Sequence, residues 1–413
     1  MAENIFPYKL PENWHWSTLG NLTAIIGGGT PSSKNKLYYE NGDISWITPS
    51  DLSNYKNQYI SHGKRNITSQ GLKESSSRLF PADTVCLTTR APIGYVVIAA
   101  KSMATNQGFK NFLPSEKYLP KYLYWYLTSN TELLKENASG TTFLELSIRR
   151  LEKIPIPLPP IDEQKRIVAI IESLFTKLDA AKSIVQKILD GYELRRAAIL
   201  HKAFTGELTK NFRADSGLTL DDWQQKKLGD VLELSKEKTN SFNENLKYVG
   251  LENIEKDSGT INFQSAKDVK STKNIFHGGD LLYGKLRPYL NKHGIPNFDG
   301  VCSTDILVLS ANELSANEFI NYFFSLPMFV EYAVSNSRGI NLPRVSAKTI
   351  LNSEINLPPL TEQKEIVRVL AGLLDKEQRT KEFAEKILSE IDLLKRTILA
   401  RAFRGELLTK FMI

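Results

Sequence analysis

The sequence predicts an α+β chain. Two globular mixed α/β domains alternate with two long helices that pair as an antiparallel coiled coil, and the whole forms a pseudo-two-fold internal repeat. Three observations predict this. A 51-residue block occurs twice at an offset of 199 positions, with 22 identities. Within each block apolar residues recur at alternating spacings of four and three, the period of a helical seam. The stretches between blocks hold strand-like runs bounded by turn residues. A chain of 413 residues is also too long for one ordinary core.

The blocks begin with Leu158-Pro159-Pro160-Ile161-Asp162-Glu163-Gln164-Lys165 and Leu357-Pro358-Pro359-Leu360-Thr361-Glu362-Gln363-Lys364. Proline restricts the residue before it and then permits a helix to start. The seam runs Ile167, Ile171, Leu174, Leu178, Ala181, Val185, Ile188, Tyr192, with Arg195 as its exception, then Ile199. The second runs Ile366, Leu370, Leu373, Glu377, Thr380, Ala384, Ile387, Ile391, Leu394, Ile398. Polar Glu377 and Thr380 suit a pair with a specified register. Each rod is roughly 65 Å long at 1.5 Å per residue. Gly206 and Gly405 stop them.

The globular stretches match more faintly but in order. Trp14 aligns with Trp223, and Gly140 with Gly339. Asp83 and Arg90, seven apart, align with Asp280 and Arg287. Tyr122-Leu123-Tyr124-Trp125-Tyr126-Leu127 aligns with Phe319-Ile320-Asn321-Tyr322-Phe323-Phe324. Strands are expected over 43–47, 83–88, 94–99, 248–251, 280–283 and 303–309, and aromatic helices over 118–128 and 317–326. Those aromatics read as core.

Composition narrows the function. Apolar residues make up 41% and charged ones 24%, the balance of a folded soluble chain. No apolar run approaches a membrane span. Met1-Ala2-Glu3-Asn4 does not open a signal peptide, so the expected compartment is the cytoplasm. Cys86 and Cys302 read as buried inert thiols, and five histidines lack metal-ligand spacing. The net charge of +7 permits contact with phosphate without establishing it.

Basic and amide residues cluster after matched strands. The first copy offers Arg90, Asn106, Gln107 and Lys110; the second offers Lys285, Arg287, Tyr289, Asn291 and Lys292. Arginine, lysine, asparagine and glutamine are the side chains that bond base edges and phosphates. Catalytic patterns are missing. Gly279 to Lys285 approaches a phosphate loop, but Leu286 stands where Ser or Thr would hold magnesium. The Gly27-Gly28-Gly29 run reads as a turn. No Asn-Pro-Pro-aromatic or Asp-Pro-Pro-Tyr stretch is present. No triad, paired-carboxylate or metal constellation stands out.

The arrangement resembles the specificity subunit of type I restriction–modification systems over essentially the whole chain. Its most specific marks are Leu-Pro-Pro-x-x-Glu-Gln-Lys, a heptad helix and Ala-Phe-x-Gly-Glu-Leu, each present twice. The Leu10-Pro11-Glu12-Asn13-Trp14 opening is similar as well, as are Leu286 to Lys292 and Cys302-Ser303-Thr304-Asp305. The resemblance implies target-recognition domains over 1–157 and 211–356, each reading half of a split asymmetric site in double-stranded DNA. Spacer helices over 158–210 and 357–413 would set the half-site spacing and dock two methyltransferase subunits. Two restriction (translocase–nuclease) subunits would join outside. This chain would be non-catalytic, without cofactor or metal; S-adenosylmethionine and ATP with magnesium would belong to the partners. By motif position, Glu163, Gln164, Phe204, Glu362, Gln363 and Phe403 fall in the regions that family uses for assembly. Two other classes stay open at this point: a coiled-coil adaptor that reads no DNA, and a single-chain enzyme.

Overall fold

The computed structural model describes residues 8–90, 92–140, 144–256 and 259–407. The reading of Met1 to Asn4 lies outside these residues. The chain divides into two compact units, Met1–Val185 with Ile387–Ile413, and Gln186–Lys386. The division runs through the helices, so each unit holds a globular part and a piece of both.

In the first unit the main sheet has the strand order Ile25–Gly27, Phe109–Phe112, Val85–Thr89, Ile93–Ala99, Tyr59–Ile60. A smaller sheet orders Arg65–Ile67, Ile44–Ile47 and Ala104–Thr105, the last two parallel. Strand His15–Thr18 pairs antiparallel with Pro155–Leu158 and clasps the two ends of the globular part. Helix Pro120–Ser129 buries Tyr122, Leu123, Tyr126 and Leu127 in the core with Val85, Leu87 and Ile98. Tyr122 and Tyr126 are core, as expected from the sequence.

The second unit repeats the first four places of this order. Leu232–Leu234, Ile306–Ala311, Leu281–Gly284 and His293–Gly294 form its main sheet. Gln224–Lys227 pairs with Glu354–Leu357 as the matching clasp. The second sheet again holds a parallel pair, Lys247–Val249 beside Gly300–Cys302. It gains Lys273–Phe276 and Lys238–Thr239 on the far side of Gly300–Cys302. Helix Asn317–Phe324 buries Phe319, Ile320, Phe323 and Phe324. Cys86 and Cys302 are free and buried, and burial pushes the Cys302 thiol up to about 12.

The long helices pair antiparallel inside each unit. In the first, Lys182 meets Asp392 at 2.8 Å and Lys395 meets Asp179 at 2.5 Å. In the second, Arg195 meets Glu377 at 2.9 Å while Tyr192 donates to Gln378 at 3.0 Å. The polar exceptions of the two seams, Arg195 and Glu377, are thus one ion pair. Leu360–Phe403 is continuous, but the first rod is interrupted: Ile161–Asp190 ends and Tyr192–Phe204 begins on either side of Gly191. Glycine weakens a helix interior because it loses the most backbone freedom. Here Arg195 also covers Gly191 and donates to the Ile188 carbonyl at 3.0 Å, so the loosened turn keeps a partner. Gly206 and Gly405 both take positive φ, 77° and 75°, where the helices stop. Glu207 N then bonds Lys202 O, and Glu406 N bonds Arg401 O, the reach-back that closes a helix C-terminus.

Among the described residues, no helix is long and apolar enough to cross a membrane.

Candidate nucleic-acid interface

In the first unit the predicted loops converge. Thr89 N donates to Gly108 O at 2.8 Å, which sets Arg90 beside the 106–110 loop. Asn106 turns inward to accept from Gly108 N at 3.0 Å, and Gln107 accepts from the Thr30 hydroxyl. The glycine run is more than a turn. A Cβ on Gly28 would stand 2.0 Å from the Asn106 carbonyl oxygen, so this backbone approach admits glycine alone. Arg90 is exposed and lies 3.4 Å from Glu145; Lys110 lies 3.9 Å from the same carboxylate. Burial draws the Lys110 pKa down while Glu145 opposes that shift.

In the second unit Lys285 follows strand Leu281–Gly284, and no helix comes next, only the turn Pro288–Leu290. A phosphate loop is therefore absent there. Arg287 (φ 53°) and Asn291 (φ 43°) flank this turn in left-handed backbone. Arg287 and Tyr289 are exposed. Burial lowers the Lys285 pKa, and Asp305 opposes it. Two of the predicted residues are directed inward. Asn291 is buried and lines a groove of about 490 Å³ with Leu200 and Val330. Lys292 reaches inward to donate to the Leu251 carbonyl at 2.6 Å.

The sequence pairing of Arg90 with Arg287 is shifted by one residue. Val85 and Leu281 occupy the same ladder position, opposite Phe112 and Leu309. At the far end Arg90 bridges Glu145, whereas Leu286 bridges Arg344. Arg90 thus matches Leu286, and Asp83 (φ 64°) matches Gly279 (φ 98°), both in left-handed backbone just before the strand. The two copies do not keep an arginine at one position. The first places Glu145 where the second places Arg344, so the copies differ in charge at a matched backbone site.

The residues assigned to assembly by motif position lie mostly inside their own units. Gln164 is fully buried; its Oε1 accepts from Leu119 N at 2.9 Å, and its amide donates to Lys117 O at 3.1 Å and Pro159 O at 3.0 Å. Gln363 does the same with Ala316 N, Leu314 O and Pro358 O. Glu362 is buried against Thr209, Arg213 and Trp223. Phe403 stacks edge-on against Tyr122 and Tyr126, and Phe204 packs on Phe319 and Phe323. Only Glu163 and Phe204 keep partial exposure. Gln164, Glu362, Gln363, Phe204 and Phe403 fasten the helices to the globular parts, and four of the six offer no free face.

Sequence reasoning missed other residues. Arg338, Arg344, Ile340 and Leu342 lie on a hairpin beside Arg287, and pairing across a loop leaves no periodic signal. On the helices Ile184, Leu194, Phe383 and Leu393 are apolar and exposed. All four lie off the four–three seam, and that misplacement is the signal that finds them.

Residues 11–189 and 220–389 match the family model described as the type I restriction modification DNA specificity domain. The specificity subunit of the type I restriction enzyme MjaIX of Methanocaldococcus jannaschii is 32% identical over 370 residues, covering 85% of this chain and 84% of the relative. That of EcoDI from Escherichia coli is 27% identical over 312 residues, covering 70% of each. Among solved structures, the HsdS subunit from Thermoanaerobacter tengcongensis shares the fold with a TM-score of 0.65 at 20% identity, over 97% of this chain and 99% of that one. A chain solved in work on complex assembly and conformational transition of the type I R-M system has a TM-score of 0.73 at 22% identity, over 97% of this chain and 100% of that one.

Proposed function

Because this chain belongs to the type I restriction–modification DNA specificity family, we propose that it is the DNA sequence-recognition subunit of a type I restriction–modification complex. Each globular part reads one half of a bipartite, asymmetric site. The helices set the spacing of the halves and dock two methyltransferase subunits, with restriction subunits added outside. The chain carries out no chemistry itself: S-adenosylmethionine, ATP and magnesium are bound by the partners. It works in the cytoplasm, where its DNA and partners are.

One observation carries this reading. Two copies share strand order, clasp and glutamine fastening, yet differ in charge at the loops beside their basic residues, Glu145 against Arg344. A shared scaffold with unlike loops is what reading two unlike half-sites requires, because bases are distinguished by side chains placed at their edges. The exposed apolar residues on the helices supply surface for protein partners, since an interface core needs apolar area.

Arg287 provides the test. Arg287→Ala in the assembled complex is expected to weaken binding by about 1–3 kcal/mol, through one half-site only. Competition binding against duplexes altered in either half measures this. Unchanged affinity at every salt concentration removes Arg287 from the interface.

A further inference from the structure

The second unit ends its arginine cluster in an apolar tip. Arg338 and Arg344 exchange two backbone hydrogen bonds, at 3.0 and 2.9 Å, and close the short hairpin Gly339-Ile340-Asn341-Leu342-Pro343. A third segment lies alongside: Leu286 bridges Arg344, and Arg287 N donates to Pro343 O at 2.7 Å. Gly339 has a φ of 105°, which a side chain would strain. The tip is therefore held in shape on three backbone segments. At its end Ile340 is 100% exposed and Leu342 54%.

A single exposed apolar residue means little. Here two share one tip, with Arg338 and Arg344 closing the hairpin and Arg287 alongside. Arg344 is paired with Asp305 at 2.9 Å, but among the described residues neither Arg287 nor Arg338 has an ion-pair partner. Burial lowers the Lys285 pKa, and Lys285 lies close enough to feel Asp305, which raises it, and Arg344, which lowers it. An apolar point between unneutralised arginines is complementary to one kind of surface: stacked bases between two rows of phosphates. Proteins that bend DNA insert apolar side chains between base steps, while arginines hold the flanking backbone. An acidic protein groove would meet the arginines equally, but offers no apolar slot between two anionic rails.

Resting on the reading of this chain as a DNA-recognition subunit, we propose that the 338–344 hairpin is a wedge. Ile340 and Leu342 enter a base step in or beside the half-site of the second unit, with Arg338 on the adjoining phosphate and Arg287 at a neighbouring base edge. The wedge opens that step, so part of the recognition is the ease with which the step unstacks. The first unit differs at the matched position, where Glu145 faces Arg90 and Lys110 and neutralises the rim.

The test uses the full complex on duplexes bearing its methylated motif, with permanganate reactivity of thymines reporting unstacking at each step. The wild-type complex is expected to expose one step near the second half-site that lies outside the methylated base pair. Ile340→Ser with Leu342→Ser is expected to abolish that reactivity and weaken specific binding about tenfold, leaving non-specific binding unchanged. Ile340→Leu with Leu342→Ile is expected to retain both. Specific wild-type binding with the same reactivity and affinity in the serine variant overturns the wedge and leaves the recognition reading standing. Loss of the methyltransferase subunits from the serine variant also overturns it, and makes the tip a protein contact. A wild-type complex with no sequence preference defeats the underlying reading as well.

Discussion

Glu362→Ala is expected to cost the second unit about 3–5 kcal/mol of stability, the range for breaking a buried ion pair by removing one partner. The carboxylate is fully buried. Its Oε1 accepts from Thr209 Oγ1 at 2.6 Å and Arg213 at 2.5 Å, and its Oε2 accepts from Trp223 Nε1 at 2.9 Å. Arg213 in turn donates to the Gly206 carbonyl at 2.7 Å, where the first helix stops. One carboxylate therefore ties the start of the second helix to the end of the first helix and to the clasp strand after Trp223. Alanine leaves the Arg213 guanidinium buried without a counter-charge. Urea denaturation followed by circular dichroism measures the loss. Replacing both partners, with Glu362→Leu and Arg213→Met, is expected to recover part of it, because no charge is left buried alone although Thr209, Trp223 and the Gly206 carbonyl still lose their partner. A midpoint unchanged in Glu362→Ala contradicts the assignment.

Phe403→Ala is expected to destabilise the first unit by a similar amount, about 3–5 kcal/mol. The ring is 3% exposed and meets Tyr122 and Tyr126 edge-on, with centroids at 5.3 and 5.2 Å. Its carbonyl accepts from Tyr8 OH at 3.0 Å. The matched Phe204 is only partly buried, so Phe204→Ala is expected to lose less. Hydrogen exchange resolved by unit separates the two effects. Equal losses would mean that burial does not govern the difference.

Much of this fold is legible in the sequence because a repeat checks itself. Gln164 and Gln363 lie 199 residues apart and bond equivalent backbone groups, Leu119 N and Ala316 N. The four–three spacing identifies the helices because only a helix returns those residues to one side. The glycine stops follow from the left-handed backbone that glycine alone adopts easily. Gly191 was visible as a letter but not as a break. A mid-helix glycine is tolerated or not according to what packs on it, and here that is Arg195.

The interface was less legible. Arg90 and Arg287 share a spacing of seven from an aspartate, yet ladder register sets Arg90 against Leu286. Register comes from hydrogen bonds between strands distant in sequence, and a one-residue slip leaves composition unchanged. Asn291 and Lys292 stand beside Arg287 in sequence but turn inward, because the left-handed residues at each end of Pro288–Leu290 reverse the chain. Glu362 and Gln363 carry polar side chains of a surface type. Their burial follows from the groups they satisfy, side chains of Thr209, Arg213 and Trp223 for Glu362 and backbone of 314–316 and 358 for Gln363, which no local pattern announces.

The central claim is that this chain gives a methyltransferase its DNA sequence. Base-resolution mapping of adenine methylation, in cells holding the methyltransferase subunits with and without this chain, tests it most directly. The expected result is a split motif of two unlike halves around an unread gap, methylated only when the chain is present. The same methylation pattern in both cells, with the complex soluble and assembled, would contradict it.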